Sequence, residues 1–282
     1  MSSFETWRLL TYTTRDPYEN MALDETLLLA CNKGLSPPTL RFYTWDPPAV
    51  SIGYAQNPCK EINIIELCKR SGMPLIRRIT GGRAILHHNR DLTYALVLRG
   101  ERGPKKVSVT ESYKMVNICL VNALQSIGIK AGLRFRKEVV LKEKSSFCFR
   151  TPANNDIIIS GKKVVGSAQR RLERAFMQHG SIILFPPPDD LIKVFKGLSA
   201  GSDDSFTWLN RHTTKAIDIV ELHKTILKGF EKGMKIRFFK DGLMEHEVKL
   251  KERLLKEKYL KDEWNLSRSV SKRVAPGITR RQ

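Results

Sequence analysis

The sequence predicts an α+β domain in which a strand-rich block is followed by helices. Short β-prone runs, punctuated by glycine and proline, recur between residues 39 and 184. After the proline triplet at residues 186–188, helical periodicity dominates. No internal repeat or biased linker demands a domain boundary, so we expect one domain over residues 1–268 with a helical C-terminal part.

The first elements are a helix and two strands. Residues 20–30 predict an amphipathic helix, because this run of helix formers follows Pro17 and precedes Gly34, a typical C-terminal stop. Residues 39–45 and 49–54 are β-prone and are separated by two prolines, which cannot donate to a sheet ladder. We expect these two runs to form adjacent strands.

The later elements follow from the same periodicities. The pattern predicts, in chain order, a helix at 61–70, strands at 75–78, 83–87 and 92–98, a helix at 109–127, strands between 156 and 184, and helices at 217–230 and 245–259. Residues 134–144 are highly charged and are expected to form an exposed, mobile loop. Residues 269–282 form a basic tail that we expect to be disordered.

Composition predicts a soluble, cytoplasmic protein with reduced thiols. Hydrophobic residues make up 41% of the 282 positions, which is enough to fill a core. No run of about eighteen apolar residues occurs, and the first residues lack the basic-then-apolar order of a signal peptide. The five cysteines are irregularly spaced and include no CxxC pair, so neither a zinc site nor a redox dithiol is indicated.

The net charge of +20 favours acidic partners, which include nucleic acid, anionic lipid and acidic proteins. Charge alone does not choose among these classes. Because the sequence shows no RNA-binding aromatic motif, helix-turn-helix or zinc finger, a nucleic-acid-binding protein is the weaker alternative.

A glycine pair, Gly81-Gly82, lies between two predicted strands and beside three arginines, Arg77, Arg78 and Arg83. Glycine lets backbone N–H groups approach a ligand closely, which suits a phosphate, a carboxylate or a thioester carbonyl. The local alternative is a hairpin turn without a ligand. The pattern matches neither a P-loop nor the dinucleotide fingerprint.

A second candidate segment is the strand pattern between Gly161 and Gln169. Alternation places Lys163 and Val165 on one face and Lys162 on the other, so one lysine is expected to point inward. An inward lysine could contact a carbonyl oxygen or a thiolate. The alternative is an edge lysine that discourages strand aggregation.

Cys148 lies between two phenylalanines, after the charged loop and before Pro152, which is a suitable position for a nucleophile. A thiolate is the natural attacker of a thioester, and Lys163 is a candidate cation to lower its pKa. The alternative for Cys148 is a buried, inert cysteine, a role that better suits those in helical patterns, namely Cys31, Cys68 and Cys119.

The histidines have no partners at metal-ligand spacing. We expect structural hydrogen bonds for His87, His88 and His179, and expect His179 to line a site.

Three motifs in order resemble the biotin/lipoate protein ligase superfamily: residues 78–87 around the glycine pair, residues 161–169, and residues 178–184. Four further segments, at residues 21–25, 41–45, 146–149 and 261–265, are similar to the octanoyltransferases of that superfamily. The resemblance covers residues 6 to 268 and implies a central mixed β-sheet flanked by helices.

The resemblance also implies an activity, the transfer of octanoyl from octanoyl-acyl carrier protein to a lysine of a lipoyl carrier protein. The acceptor would be the glycine cleavage H protein or a dehydrogenase lipoyl domain. Cys148 becomes the nucleophile and Lys163 its partner in a ping-pong scheme. The scheme needs no ATP, cofactor or metal, and we expect a monomer that binds neither nucleic acid nor a membrane. The implied substrate-binding residues are Arg78, Thr80, Gly81, Gly82, Arg83, His87, Gly166, Ser167, Ala168 and His179.

Two relatives of this activity remain open as alternatives. An ATP-dependent lipoate protein ligase shares the fold and the lysine but needs no cysteine. An amidotransferase moves octanoyl between two lipoyl proteins, also through cysteine. The sequence departs from the ligases at Arg83, where a third glycine is usual, and at His88, where an aspartate is common. The first departure makes ATP binding less expected.

Overall fold

The computed structural model describes residues 5–58, 72–103, 105–134, 155–192, 194–195 and 206–267. Within these residues eight strands form one mixed sheet, in the order β11-β1-β2-β6-β10-β9-β8-β7. Their bounds are β1 Glu5–Arg15, β2 Thr39–Trp45, β6 Leu92–Arg99, β7 Ala131–Leu133, β8 Ile157–Ile159, β9 Lys162–Arg171, β10 Ala175–Ile182 and β11 Ile236–Lys240. The order places the first strand beside the last one, in parallel.

A second, smaller sheet has the order β4-β3-β5, with β3 at Ala49–Ile52, β4 at Leu75–Arg77 and β5 at Ile85–His87. The prediction that residues 39–45 and 49–54 form adjacent strands is therefore wrong. The proline pair between them offers no N–H to a ladder, and the chain leaves the large sheet there. The hairpin alternative for Gly81-Gly82 is also wrong, because β4 and β5 both pair with β3 and not with each other.

The helices are α1 Pro17–Lys33, α2 Val109–Ser126, the single turn α3 Asp189–Ile192, α4 Ile219–Met234 and α5 Glu245–Leu254, which continues into π-helical turns at Leu255–Tyr259 and Glu263–Ser267. Asp16 caps α1 by accepting the N–H groups of Tyr18 and Glu19, and Gly34 ends it in the left-handed conformation. The helices predicted at 20–30, 109–127, 217–230 and 245–259 are confirmed. The predicted elements at 61–70 and 269–282, and all but the first residue of the charged segment, lie outside the described residues.

The large sheet is covered on both faces, which confirms the predicted α+β class with a mixed sheet flanked by helices. β2 is buried along its whole length, and alternate side chains enter two different cores. Phe42 packs in a core with α2 and α4, whereas Tyr43 and Trp45 pack in a core with α1. The α1 face of the sheet therefore presents aromatic side chains toward the small sheet.

Among the described helices, none combines the length and the apolar character that crossing a membrane requires.

Candidate active site

A pocket opens on the α1 face of the large sheet, beside the small sheet, and encloses about 270 Å³ including its mouth. Its apolar walls come from α1, β2 and β5 through Met21, Tyr43, Trp45 and Ile85. Half of the predicted substrate-binding residues also line it, namely Arg78, His87, Gly166, Ala168 and His179. The structure thus brings together residues from all three sequence motifs.

Asp24 organises one side of the pocket from within α1. One carboxylate oxygen accepts from Arg41 at 2.9 Å, and the other lies 2.8 Å from both the Tyr43 hydroxyl and Nδ1 of His179. Since a carboxylate only accepts, Nδ1 of His179 carries a hydrogen. Nε2 of the same ring lies 2.8 Å from the Thr80 hydroxyl, so the carboxylate fixes the ring and the ring fixes Thr80.

The glycine turn is held from inside by Arg78. One guanidinium nitrogen donates to the carbonyls of Gly81 and Arg83, at 2.9 and 2.7 Å, and another donates to the carbonyl and hydroxyl of Ser51. The turn lies directly over Gly53, where a Cβ would come within 2.0 Å of the Gly82 carbonyl oxygen. Both glycines of the turn are exposed, so their backbone is open to a ligand.

Arg77 is adjacent to Arg78 in sequence but points away from the pocket. Its guanidinium donates to backbone carbonyls of two separate segments, those of Gly53, Tyr54 and Gln56 and those of Trp264, Asn265 and Leu266. Three arginines beside one turn therefore do not act as one cluster. Arg77 joins the loop at residues 53–56 to the C-terminal segment, whereas Arg78 supports the turn itself.

The histidines near the turn are buried and hydrogen-bonded as predicted. His87 stacks on Trp45 with ring centroids 4.0 Å apart, and its Nε2 lies 2.7 Å from the Ser51 hydroxyl. Burial, followed by the nearby Arg78 charge, holds the pKa of His87 well below its usual range, so the ring is neutral. Nδ1 of His88 accepts the Arg90 backbone N–H at 3.1 Å, and burial lowers the pKa of His88 to about 4.

Lys163 is the inward-pointing lysine, whereas Lys162 is half-buried, which confirms that one of the two turns inside. Its Nζ lies 2.8 Å from a carboxylate oxygen of Asp156, and both side chains are almost fully buried. Lys163 is the second residue of β9 and lies three residues before Gly166, which lines the pocket. Ser167 faces the other side of the sheet, where its hydroxyl lies 2.9 Å from that of Tyr94.

The described cysteines fit the inert role. Cys31 and Cys119 are free and buried, and burial raises the pKa of each thiol to about 12. Cys59, Cys68 and the predicted nucleophile Cys148 lie outside the described residues. Within the described ranges no three histidine, cysteine or acidic side chains converge as metal ligands would.

Sequence reasoning missed the polar residues that support the pocket, namely Asp24, Arg41, Tyr43 and Ser51, and it also missed Asp156, the partner of Lys163. A signal for the first was present, because two adjacent acids interrupt an otherwise apolar run in a buried helix. Charged side chains are rarely buried without partners, so such a pair points to internal hydrogen bonds. The partners themselves come from other strands and carry no mark in the sequence.

Comparison with known proteins agrees with this geometry. The family described as "Lipoyl protein ligase A/B catalytic domain" matches residues 16–231. "Octanoyltransferase LipM" of Brevibacillus brevis is 37% identical over 277 residues, covering 94% of this chain and 100% of the relative. The protein of the same name from Bacillus subtilis is 33% identical, with 94% and 99% covered.

Solved structures of related enzymes share the fold. A lipoate-protein ligase A bound with ATP superposes with a TM-score of 0.78 at 26% identity, covering 94% of this chain and 100% of that one. A putative lipoate protein ligase from T. acidophilum with bound lipoic acid has a TM-score of 0.77 at 25% identity, with 93% and 99% covered. The chain therefore belongs to the lipoyl protein ligase A/B catalytic domain family and, within it, to the LipM octanoyltransferases.

Proposed function

We propose that the protein transfers an octanoyl group from octanoyl-acyl carrier protein to a lysine of a lipoyl carrier protein, by way of a thioester on Cys148. The observation that carries this proposal is the near full-length match to proteins named octanoyltransferase LipM, at 33% to 37% identity. The acceptor is a glycine cleavage H protein or a dehydrogenase lipoyl domain.

The pocket supports the acyl part of the proposal. Its walls of Met21, Tyr43, Trp45 and Ile85 suit a hydrocarbon chain, and each buried CH₂ group contributes about 0.8 kcal/mol to binding. The two histidine rings of the pocket are compatible with a hydrocarbon chain, since His87 is neutral and both ring nitrogens of His179 have hydrogen-bond partners. The exposed backbone of Gly81 and Gly82 lies at the edge of the pocket, where Gly82 approaches Ala168.

The proposed chemistry has two steps. The Cys148 thiolate attacks the thioester carbonyl, the carrier's thiol leaves, and an octanoyl-cysteine thioester remains. The neutral amine of the acceptor lysine then attacks that thioester and loses its proton, and the Cys148 thiolate leaves as the amide forms. The exchange of one thioester for another is nearly isoenergetic, and amide formation drives the second step, so the scheme requires no ATP.

Lys163 is proposed to donate a hydrogen bond to the carbonyl oxygen, where negative charge develops in both steps. A nearby ammonium also lowers the pKa of the attacking thiol. The ion pair with Asp156 supports these roles, because it gives the buried lysine a partner of opposite charge and holds the direction of its side chain.

The test is to incubate the purified protein with octanoyl-acyl carrier protein, without ATP, and to locate added octanoyl mass by intact-protein and peptide mass spectrometry. We expect an octanoyl thioester on Cys148 that is passed to a lipoyl acceptor and is absent in Cys148→Ala. Cys119→Ala is the matched control, because its thiol is buried with a raised pKa and should not carry the acyl group. An adduct that persists in Cys148→Ala would contradict the assignment.

The second candidate is an ATP-dependent lipoate protein ligase. It is favoured by the likeness to a lipoate-protein ligase A solved with ATP, at 26% identity over almost the whole chain. Acylation of the acceptor only when ATP and a free acid are supplied would establish it. An amidotransferase would instead take octanoyl from an octanoylated lipoyl protein, and supplying that donor in place of the acyl carrier protein distinguishes the two.

A further inference from the structure

Two residues that line the apolar pocket each carry a buried polar atom whose hydrogen-bonding capacity is unused. Oγ of Ser181 and Nδ1 of His87 have no hydrogen-bond partner within the described part of the chain. Ser181 is 1% exposed and His87 is 4% exposed, and both residues line the pocket. Buried polar groups are nearly always paired, so two unpaired ones in a single cavity call for an explanation.

The hydrogen-bond pattern around Ser51 identifies the kind of partner that His87 lacks. Arg78 can only donate, so the Ser51 hydroxyl accepts from it at 3.0 Å. That hydroxyl keeps one hydrogen of its own, and we assign this hydrogen to Nε2 of His87, 2.7 Å away. A neutral imidazole that accepts at Nε2 carries its hydrogen on Nδ1. His87 therefore offers the pocket an unpaired N–H donor.

Trp45 and the sheet register connect the two unpaired atoms. Ser181 pairs with Thr93 across β10 and β6, and the indole N–H of Trp45 donates to the Thr93 hydroxyl at 2.8 Å. One face of the same indole stacks on His87. Ser181 and His87 are thus both linked to Trp45, which lines the same pocket.

We propose that His87 Nδ1–H and Ser181 Oγ form a polar subsite inside the acyl pocket that binds a hydrogen-bond acceptor. Its ligand class is an oxygen substituent on the acyl chain, a hydroxyl or oxo group, and with an unsubstituted chain a water molecule occupies it. The identification of the ligand as an acyl group rests on the proposed function. The subsite itself rests on the two unpaired atoms.

The physical consequence is an unusual tolerance for oxygen on the chain. A hydroxyl buried in a wholly apolar pocket loses its hydrogen bonds to water and gains nothing in return. Here the same hydroxyl accepts from His87 and exchanges a hydrogen bond with Ser181. An analogue with its oxygen at the matching carbon should therefore bind at least as well as octanoate, and better than its positional isomers.

The experiment measures binding of octanoic acid and of its 3-, 5- and 7-hydroxy derivatives to the intact protein by equilibrium dialysis, which requires no catalysis. One hydroxy isomer should bind at least as tightly as octanoate, and Ser181→Ala should weaken that isomer relative to octanoate by roughly tenfold. The proposal would be overturned if all three isomers bound more weakly than octanoate and if Ser181→Ala left their affinities relative to octanoate unchanged.

A second measurement tests the unpaired hydroxyl without any ligand. Ser181→Ala removes a group with no partner and should leave the thermal midpoint unchanged or higher. Ser36→Ala is the matched control, since that buried hydroxyl donates to Glu247 at 2.6 Å and its loss should lower the midpoint. An equal fall in both variants would show that Ser181 has an internal partner and would overturn the subsite.

These outcomes are separable from the fate of the proposed function. Octanoate that binds but is never transferred through Cys148 overturns the transferase and leaves the subsite standing. If no acid binds, the subsite is overturned, and transfer of octanoyl from the carrier protein through Cys148 still decides the proposed function by itself.

Discussion

Asp24 and Glu25 are adjacent on α1, yet their carboxylates serve different parts of the molecule. Successive side chains of a helix point about 100° apart, since 3.6 residues make a turn. Asp24 faces the pocket and binds Arg41, whereas Glu25 accepts from Lys258 and from the Tyr259 hydroxyl at 2.6 to 2.8 Å. One turn of α1 therefore links the pocket wall to the C-terminal segment.

Asp24→Asn is expected to destabilise the fold and disorder the pocket together. The substitution leaves the Arg41 guanidinium buried without its counter-charge, and breaking a buried pair in this way costs about 3–5 kcal/mol. Urea denaturation measures the loss. Glu19→Gln is the control, because its pair with Lys251 is partly exposed and should contribute less than about 1 kcal/mol. Similar losses in the two variants would contradict the role of Asp24.

The cysteines should differ in their rates of alkylation at a single pH. With pKa values of about 12, the Cys31 and Cys119 thiols stay protonated at pH 8, and burial also blocks access to them. We expect iodoacetamide at pH 8 to alkylate Cys148 within minutes and to spare these two until urea is added. Peptide mapping of the alkylated protein gives the order of reaction, and early labelling of Cys119 would be inconsistent with the structure.

The C-terminal segment Leu255–Ser267, which we call the clasp, fixes the support of the glycine turn. Arg77 binds clasp carbonyls and loop carbonyls at the same time, and the Trp264 indole donates back to the Arg77 carbonyl at 2.7 Å. The loop in turn touches the site, since the Tyr54 N–H donates to the Thr80 carbonyl at 2.8 Å. A change in the clasp should therefore alter the stability of the glycine turn, although no clasp residue lines the pocket.

Asn265→Ala tests this connection between elements. Its amide oxygen accepts the Arg77 N–H at 3.0 Å, and losing it leaves a buried donor unpaired, at a cost of about 1–3 kcal/mol. Hydrogen exchange should become faster at the Arg77 amide, in residues 53–56 and in the glycine turn. Ser267→Ala, which removes an exposed hydrogen bond, should leave those amides unchanged. Faster exchange confined to the clasp would separate it from the site.

At the scale of the whole molecule, the charge of +20 should accelerate encounter with acidic carrier proteins. We expect kcat/KM for octanoyl-acyl carrier protein to fall several-fold between about 0.05 and 0.3 M salt, because screening shortens the reach of the field to about 10 Å or less. Octanoyl-N-acetylcysteamine, which presents the same thioester without an acidic protein, is the control substrate. An equal salt effect on both substrates would exclude steering.

Much of the fold was predictable because local patterns determine it. Proline and glycine mark both ends of α1, and alternation identifies Lys163 as one of two lysines that could turn inward. The sheet to which a strand belongs is not local information, and so β2 and β3 were wrongly joined. The site followed in part, since three motifs converge on one pocket. The pairing of Asp24 with His179 depends on a strand that lies 155 residues away in sequence.

Pairs between the two ends of the chain, such as that of β1 with β11, determine when the first elements can finish folding. Arg8 is buried against Glu247, and Glu25 against Lys258, so each waits for a partner more than 230 residues downstream. Until that partner leaves the ribosome, the charges of Arg8 and Glu25 stay unpaired in water, and one edge of β1 has no neighbouring strand. Folding of the first strand and helix is therefore completed only after residue 258 has been synthesised, and slow translation before that point should expose the chain to chaperones and proteases.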